Sequence, residues 1–124
     1  MRIDEHLRKA ERLSASLAKC GPEDYEMLIE GAMLAATHWF NAALHATGIR
    51  GAQDDAMHGT KITVEEHKRC ETLLGGLVEA LEVIEELRSP YVRGAQLGGR
   101  AAGELAMEKL RRIAALAQEK IPGR

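Results

Sequence analysis

Apolar residues recur every three or four positions over most of the chain, the spacing that places side chains on one face of an α-helix. The first stripe runs from Ile3 to Leu17, and Gly21-Pro22 predicts the end of that helix. Further stripes and breaks predict four helices in one domain that spans residues 1–124. The predicted helices cover residues 3–19, 23–47, 64–88 and 95–120.

The second predicted helix has the longest regular stripe, which extends from Tyr25 to Leu44. It contains the adjacent aromatic residues Trp39 and Phe40. Neighbouring residues on a helix point about 100° apart, so the two rings cannot reach the same place. We expect both of them to lie in the core.

Residues 48–62 show no period and are rich in Gly, Asp and Thr, which predicts a loop. Its length, about fifteen residues, is typical of functional or mobile segments. Thr63 followed by Glu66 is a capping-box pattern that predicts the start of the third helix. Gly75-Gly76 lies within that helix and costs about 1 kcal/mol per glycine, which suggests a close helix–helix approach there.

Small residues recur every four positions early in the last predicted helix. One row contains Gly94, Gly98 and Ala102, and a second contains Gly99 and Gly103. Rows of small side chains allow two helix backbones to pack closely. We expect an internal contact here, with a dimer interface as the alternative.

The composition supports an all-α fold, because aromatic residues make up 3% of the 124 residues and good helix formers dominate. We predict an antiparallel, up-down four-helix bundle. The chain contains no run of the ~20 apolar residues that span a bilayer, and its charged start does not resemble a secretory signal. Cys20 and Cys70 are expected to be free thiols, and the protein is expected to be cytoplasmic and not attached to a membrane.

The net charge of −2 excludes a globally basic nucleic-acid binder, although the charge is unevenly distributed. Residues 71–87 carry five glutamates and no base, whereas residues 88–124 carry eight Lys/Arg against three Glu. Adjacent helices of opposite charge explain this pattern simply. The alternative is a basic surface for an acidic partner or a phosphate backbone.

Three polar residues share one face of the second predicted helix, opposite its apolar stripe: His38, Asn41 and His45. Metal sites in bundles typically use Glu-x-x-His pairs on two helices, and this chain has none. We therefore predict no metal and no cofactor. The alternative is a metal-binding bundle that uses His38, His45, His58 or His67.

The alanine-rich segment Ala35–Ala46 is followed by a polar loop, a third helix and the segment Glu86–Tyr91. This layout, over roughly residues 23–118, resembles the HEPN superfamily of small four-helix bundles from prokaryotic defence modules. Some HEPN proteins pair with minimal nucleotidyltransferases. The resemblance implies a homodimer and either ribonuclease activity or an accessory substrate-binding role.

The chain departs from the HEPN pattern at the positions that carry catalysis. In active HEPN ribonucleases four to six residues separate the Arg from the His, whereas seven residues separate Arg50 from His58 here. Arg88 and Tyr91 resemble the Arg…Asp-Tyr pattern of many members, but Pro90 replaces the Asp. A ribonuclease that uses Arg50 and His58 is therefore the alternative hypothesis.

The leading hypothesis is a non-enzymatic, HEPN-like binding domain without catalytic residues. We expect it to form a homodimer and to bind a protein partner, a nucleotide or RNA. The candidate ligand-binding residues are those whose side chains can donate hydrogen bonds or neutralise an anion. They are His38, Asn41, His45, Arg88, Tyr91 and Arg93. The loop from Asp54 to His58 is a further candidate.

Overall fold

The computed structural model describes residues 1–58 and 61–123, and every regular element in these ranges is helical. A π-helical turn, Arg88–Arg93, follows the fourth helix directly. The all-α prediction is therefore confirmed. The α-helices are α1 (Ile3–Leu17), α2 (Tyr25–Ala46), α3 (Val64–Leu74), α4 (Leu77–Leu87) and α5 (Gly99–Gln118).

The third predicted helix is in fact two helices, α3 and α4, which Gly75 and Gly76 separate. Gly75 has a φ of +56°, a conformation that a side chain disfavours, and it ends α3. A Cβ atom at either glycine would meet no described neighbour closer than 3.5 Å. The glycine pair thus interrupts the helix, and the close helix–helix approach predicted at this position is wrong.

Helix α2 is the centre of the fold, since it packs against α1, α4 and α5. Twelve of its 22 residues are buried, so more than one of its faces is covered. Trp39 and Phe40 both lie in the core, as predicted. The polar face of α2 is covered as well, because α1 and the loop after α2 lie against it.

The second row of small residues on α5 allows a close contact with α2. A Cβ atom at Gly99 would overlap the ring of Tyr25, and one at Gly103 would lie 3.0 Å from the Cβ atom of Tyr25. The internal contact predicted from these glycines is therefore confirmed. Tyr25 fills the space that two side chains on α5 would otherwise occupy.

The segment between α2 and α3 is held at both ends. Thr63 and Glu66 form the predicted capping box, in which each side chain accepts a hydrogen bond from the other residue's backbone N–H. Glu66 also pairs with Arg50, whose Nε lies 2.8 Å from a carboxylate oxygen. The ion pair thus fastens the beginning of the loop to the first turn of α3.

The two cysteines are free thiols, as predicted. Cys70 is buried in the core, and burial raises the pKa of its thiol to about 11. Cys20 is only partly buried. Among the described residues, none of the helices combines the length and the apolar character that crossing a bilayer requires.

Candidate functional site

A cavity of about 820 Å³ lies beside α1, α2 and the loop that follows α2. Most of its wall is apolar, and this size and character are typical of small-molecule sites. Met27, Leu34 and Met57 on this wall are more than half exposed, so the apolar surface is accessible from solvent. The apolar lining includes Leu13, Leu17, Met27, Met33, Leu34 and Met57.

The polar part of the wall joins three elements of the fold. His6 comes from α1, His38 from α2 and Asp55 from the loop. Nδ1 of His6 lies 2.9 Å from Nδ1 of His38, and Nε2 of His6 lies 2.9 Å from Oδ1 of Asp55. His6 is only 2% exposed and therefore lies at the centre of this hydrogen-bonded chain.

His45 reaches the same carboxylate oxygen from one face of α2. Its Nε2 lies 2.8 Å from Oδ1 of Asp55, and its Nδ1 lies 3.1 Å from the carbonyl oxygen of Arg50. The amino group of Met1 lies 3.2 Å from the other oxygen, Oδ2. Two imidazoles and one ammonium group therefore surround the single carboxylate of Asp55.

Burial of Asp55 by itself raises the pKa of its carboxyl group. The hydrogen bonds from His6, His45 and the amino group outweigh that effect and lower the pKa to about 2. The carboxylate is thus ionised at neutral pH. Burial is the main cause that lowers the pKa of His6 and of His38, so both imidazoles are neutral at that pH.

The protons of His6 and His38 follow from their partners, because a carboxylate only accepts hydrogen bonds. Nε2 of neutral His6 carries its proton toward Asp55, which leaves Nδ1 as an acceptor. Nδ1 of His38 then donates to His6, and Nε2 of His38 is left as an acceptor. No group in the described part of the chain hydrogen-bonds to this Nε2 atom, and His38 lines the cavity.

Asn41 positions the loop that carries Asp55. It is 2% exposed, and its amide forms two hydrogen bonds with the backbone of Ala56. Oδ1 accepts from the N–H group of Ala56 at 2.6 Å, and Nδ2 donates to the carbonyl group of Ala56 at 2.8 Å. Nδ2 also donates to the carbonyl group of Thr37. Asn41 thus contributes to the site mainly as a clamp.

The predicted candidates on the π-helical turn lie in different surroundings. Arg88 also lines the cavity, but its guanidinium is paired with Glu30 at 2.7 Å and with Glu85 at 3.0 Å. The hydroxyl group of Tyr91 accepts a hydrogen bond from Gln96, and Arg93 is exposed. The positive charge of Arg88 is therefore already compensated by two carboxylates.

Within the described residues, no hydrogen bond or ion pair joins Arg50 to His58, the two residues of the ribonuclease hypothesis. Arg50 is bound to Glu66, to Asp54 and to the carbonyl group of Lys61. His58 lines the cavity, whereas Arg50 does not. His67, a candidate of the metal hypothesis, pairs instead with Glu71 at 3.1 Å.

His6 is a site residue that the sequence pattern does not single out, and Asp55 is selected only as part of the candidate loop from Asp54 to His58. His6 does carry a signal, because it precedes Ala10, Leu13 and Leu17 by four, seven and eleven residues and so lies on the apolar face of α1. Asp55 has no comparable signal. It reaches His6 only because the loop folds back over α1 and α2.

A comparison of the chain with protein-family models, with curated proteins and with solved structures finds no match.

Proposed function

We propose that this chain is a non-enzymatic binding domain for an apolar molecule that carries a hydrogen-bond donor, such as a hydroxyl or amine group. The ligand's apolar part occupies the 820 Å³ cavity, and its donor group binds Nε2 of His38. The observation that carries the proposal is this cavity, with a mostly apolar wall and one unpaired imidazole acceptor.

The composition of the cavity favours such a ligand over an anion. Of the charged groups on the wall, Arg88 is already paired with Glu30 and Glu85, and Asp55 is itself negative. A phosphate would therefore meet no free cation from these residues. An apolar body gains from burial against exposed methionine and leucine side chains, at roughly 25 cal/mol per Å² of apolar area.

The binding test uses the fluorescent probe N-phenyl-1-naphthylamine, which is apolar and has one N–H donor. We expect its emission to rise with the protein and to fall when 1-decanol displaces it. Leu34→Asp puts a charge on the cavity wall and should weaken binding at least ~10-fold, since burying an unpaired carboxylate is costly. Leu97→Asp is the matched control, because Leu97 is 91% exposed and lies outside the cavity.

The role of His38 is tested with two displacing ligands, 1-decanol and 1-methoxydecane, in the presence of EDTA. Only the alcohol can donate a hydrogen bond, and one such bond is worth about 2- to 10-fold in affinity. We expect this preference in the wild type and its loss in His38→Phe. Absence of probe binding, or equal weakening by Leu34→Asp and Leu97→Asp, would refute the cavity as the binding site.

We also propose that the chain is an antiparallel four-helix bundle of HEPN-like layout, in which α3 and α4 together take the place of one helix. The packing of α2 against α1 and α5, and of α4 against α5, supports this description. The homodimer, the protein or nucleotide partner and the cytoplasmic location stay predictions, and sedimentation equilibrium would test the first of them.

A further inference from the structure

We propose that His6, His45 and Asp55 form a binding site for a divalent transition-metal ion of the zinc class. One imidazole nitrogen of His6, one of His45 and one carboxylate oxygen of Asp55 all lie within 4.8 Å of one another. Both Nε2 atoms lie within 2.9 Å of Oδ1 of Asp55. The three residues come from α1, α2 and the following loop. This proposal reverses the sequence-based prediction that the chain binds no metal.

The orientation of the His45 ring provides the strongest argument. The carbonyl group of Arg50 only accepts hydrogen bonds, so Nδ1 of His45 points to Arg50 as a donor. Nε2 of His45 then faces Asp55 and lies 2.8 Å from Oδ1, the same carboxylate oxygen that Nε2 of His6 approaches at 2.9 Å. Two imidazole nitrogens therefore converge on one carboxylate oxygen, which is the arrangement that a metal ion of the zinc class requires.

The surrounding contacts match those of histidines that bind metals. A ligating imidazole typically gives its other N–H group to a carbonyl or another acceptor, which fixes the ring. His45 gives Nδ1–H to Arg50, and Nδ1 of His6 lies 2.9 Å from Nδ1 of His38. Both ligating side chains are almost fully buried, with 2% exposure for His45 and 3% for His6.

The ligand set selects the kind of metal. Two imidazole nitrogens and one carboxylate oxygen suit zinc, cobalt, nickel or iron(II), whereas calcium and magnesium require mainly oxygen ligands. Tetrahedral zinc with bonds of ~2.0–2.1 Å separates its ligand atoms by roughly 3.4 Å. The observed separations of 2.8 and 2.9 Å would have to open by about half an ångström, which is a small side-chain movement.

The site also borders the cavity, because His6 and Asp55 contribute to both. A ligated His6 has no proton on Nε2, so its proton moves to Nδ1 and is donated to His38. His38 then carries its own proton on Nε2, facing the ligand. Metal binding should therefore change this atom from an acceptor to a donor. The effect on ligand binding rests on the proposed function of the cavity, whereas the proposal of a metal site does not depend on that function.

The direct test is titration of EDTA-treated, dialysed protein with Zn²⁺ in competition with a chromophoric chelator. We expect one ion per chain, and Co²⁺ should give the intense visible bands of a four-coordinate site. His45→Gln and Asp55→Asn should each weaken binding at least ~100-fold. His67→Gln is the matched control, since His67 belongs to a separate, more exposed group with Glu71 and Glu79.

A second measurement keeps the proposal testable if a variant fails to fold. Nitrogen chemical shifts of the His45 imidazole in the wild type distinguish an imidazolium ion from a metal-bound ring. Zn²⁺ should shift Nε2 of His6 and of His45 while Nδ1 of His45 keeps its proton. The proposal is overturned if the folded protein binds no Zn²⁺, if His67→Gln removes binding, or if His45 stays an imidazolium ion with Zn²⁺ present.

The ligand experiment separates this proposal from the proposed function. If both hold, the preference for 1-decanol over 1-methoxydecane disappears when Zn²⁺ is added. If Zn²⁺ binds while neither alkyl compound does, the metal site stands and the proposed function fails. If the alkyl compounds bind and Zn²⁺ does not, the proposed function stands and the metal site fails.

Discussion

Replacing Asn41 with leucine should destabilise the protein more than the removal of a hydrogen bond at the protein surface does. The side chain is 2% exposed and makes two hydrogen bonds with the backbone of Ala56, which is itself 2% exposed. Leucine has nearly the same size but pairs with neither backbone group. An unpaired buried polar group costs about 1–3 kcal/mol, and the two together cost about 2–6 kcal/mol.

The new apolar burial of leucine offsets part of that cost, by about 1–2 kcal/mol. We therefore expect a net loss of about 1–4 kcal/mol. With an unfolding entropy of about 2.1 cal/mol/K per residue over 124 residues, Tm should fall by about 4–15 °C.

Urea denaturation followed by circular dichroism measures this loss directly, with Thr47→Ala as the control. The hydroxyl group of Thr47 donates to carbonyl groups of α2, which already accept hydrogen bonds from backbone N–H groups. Removing it should change the free energy of unfolding by less than about 0.5 kcal/mol. A loss below about 1 kcal/mol in Asn41→Leu, or an equal loss in both variants, would refute this role of Asn41.

Two further predictions concern packing and pH. Gly99→Ala should destabilise the protein by about 1–3 kcal/mol, because the new Cβ atom overlaps the ring of Tyr25. Gly51→Ala is the control, since its Cβ atom meets no neighbour within 4 Å and the change should be nearly neutral. Thermal unfolding of both variants checks this prediction, and equal Tm values would contradict it. The ion pair with Arg50 lowers the pKa of Glu66 to about 2, below its value in the unfolded chain. The ion pair therefore stabilises the folded state above about pH 4.5, and this stabilisation is lost as the pH falls toward 2. Urea unfolding between pH 5 and 2.5 should therefore show a shallower pH dependence for Glu66→Gln, and parallel curves would rule this out.

Much of the fold is predictable because it depends on local signals. Periodic apolar residues determine the buried faces of α1 and α2, and the Thr63–Glu66 capping box marks the start of α3. The break between α3 and α4 is harder to predict, because a pair of glycines lowers helix propensity but does not determine the direction in which the backbone turns. Gly75 adopts a positive φ only in the context of the folded chain.

The candidate site is less predictable because its contacts are distant in sequence. His6 and Asp55 are 49 residues apart, and no spacing rule connects a helix near one end of the chain with a loop. The three polar residues grouped on α2 do come together with this site. His38 hydrogen-bonds to His6, His45 hydrogen-bonds to Asp55, and Asn41 holds the neighbouring residue Ala56.

The loop after α2 determines the chemistry of the site through its backbone as much as through its side chains. Glu66 fixes the guanidinium of Arg50. The backbone carbonyl group of Arg50 in turn orients the ring of His45. That orientation leaves Nε2 of His45 facing Asp55, which the clamp of Asn41 on Ala56 keeps in place. A search for metal ligands at helical spacing misses this arrangement, because its three ligand atoms come from three different elements. The length of the loop thus reflects the contacts it makes with α1, α2 and α3, and its contacts with α1 and α2 position Asp55 at the cavity.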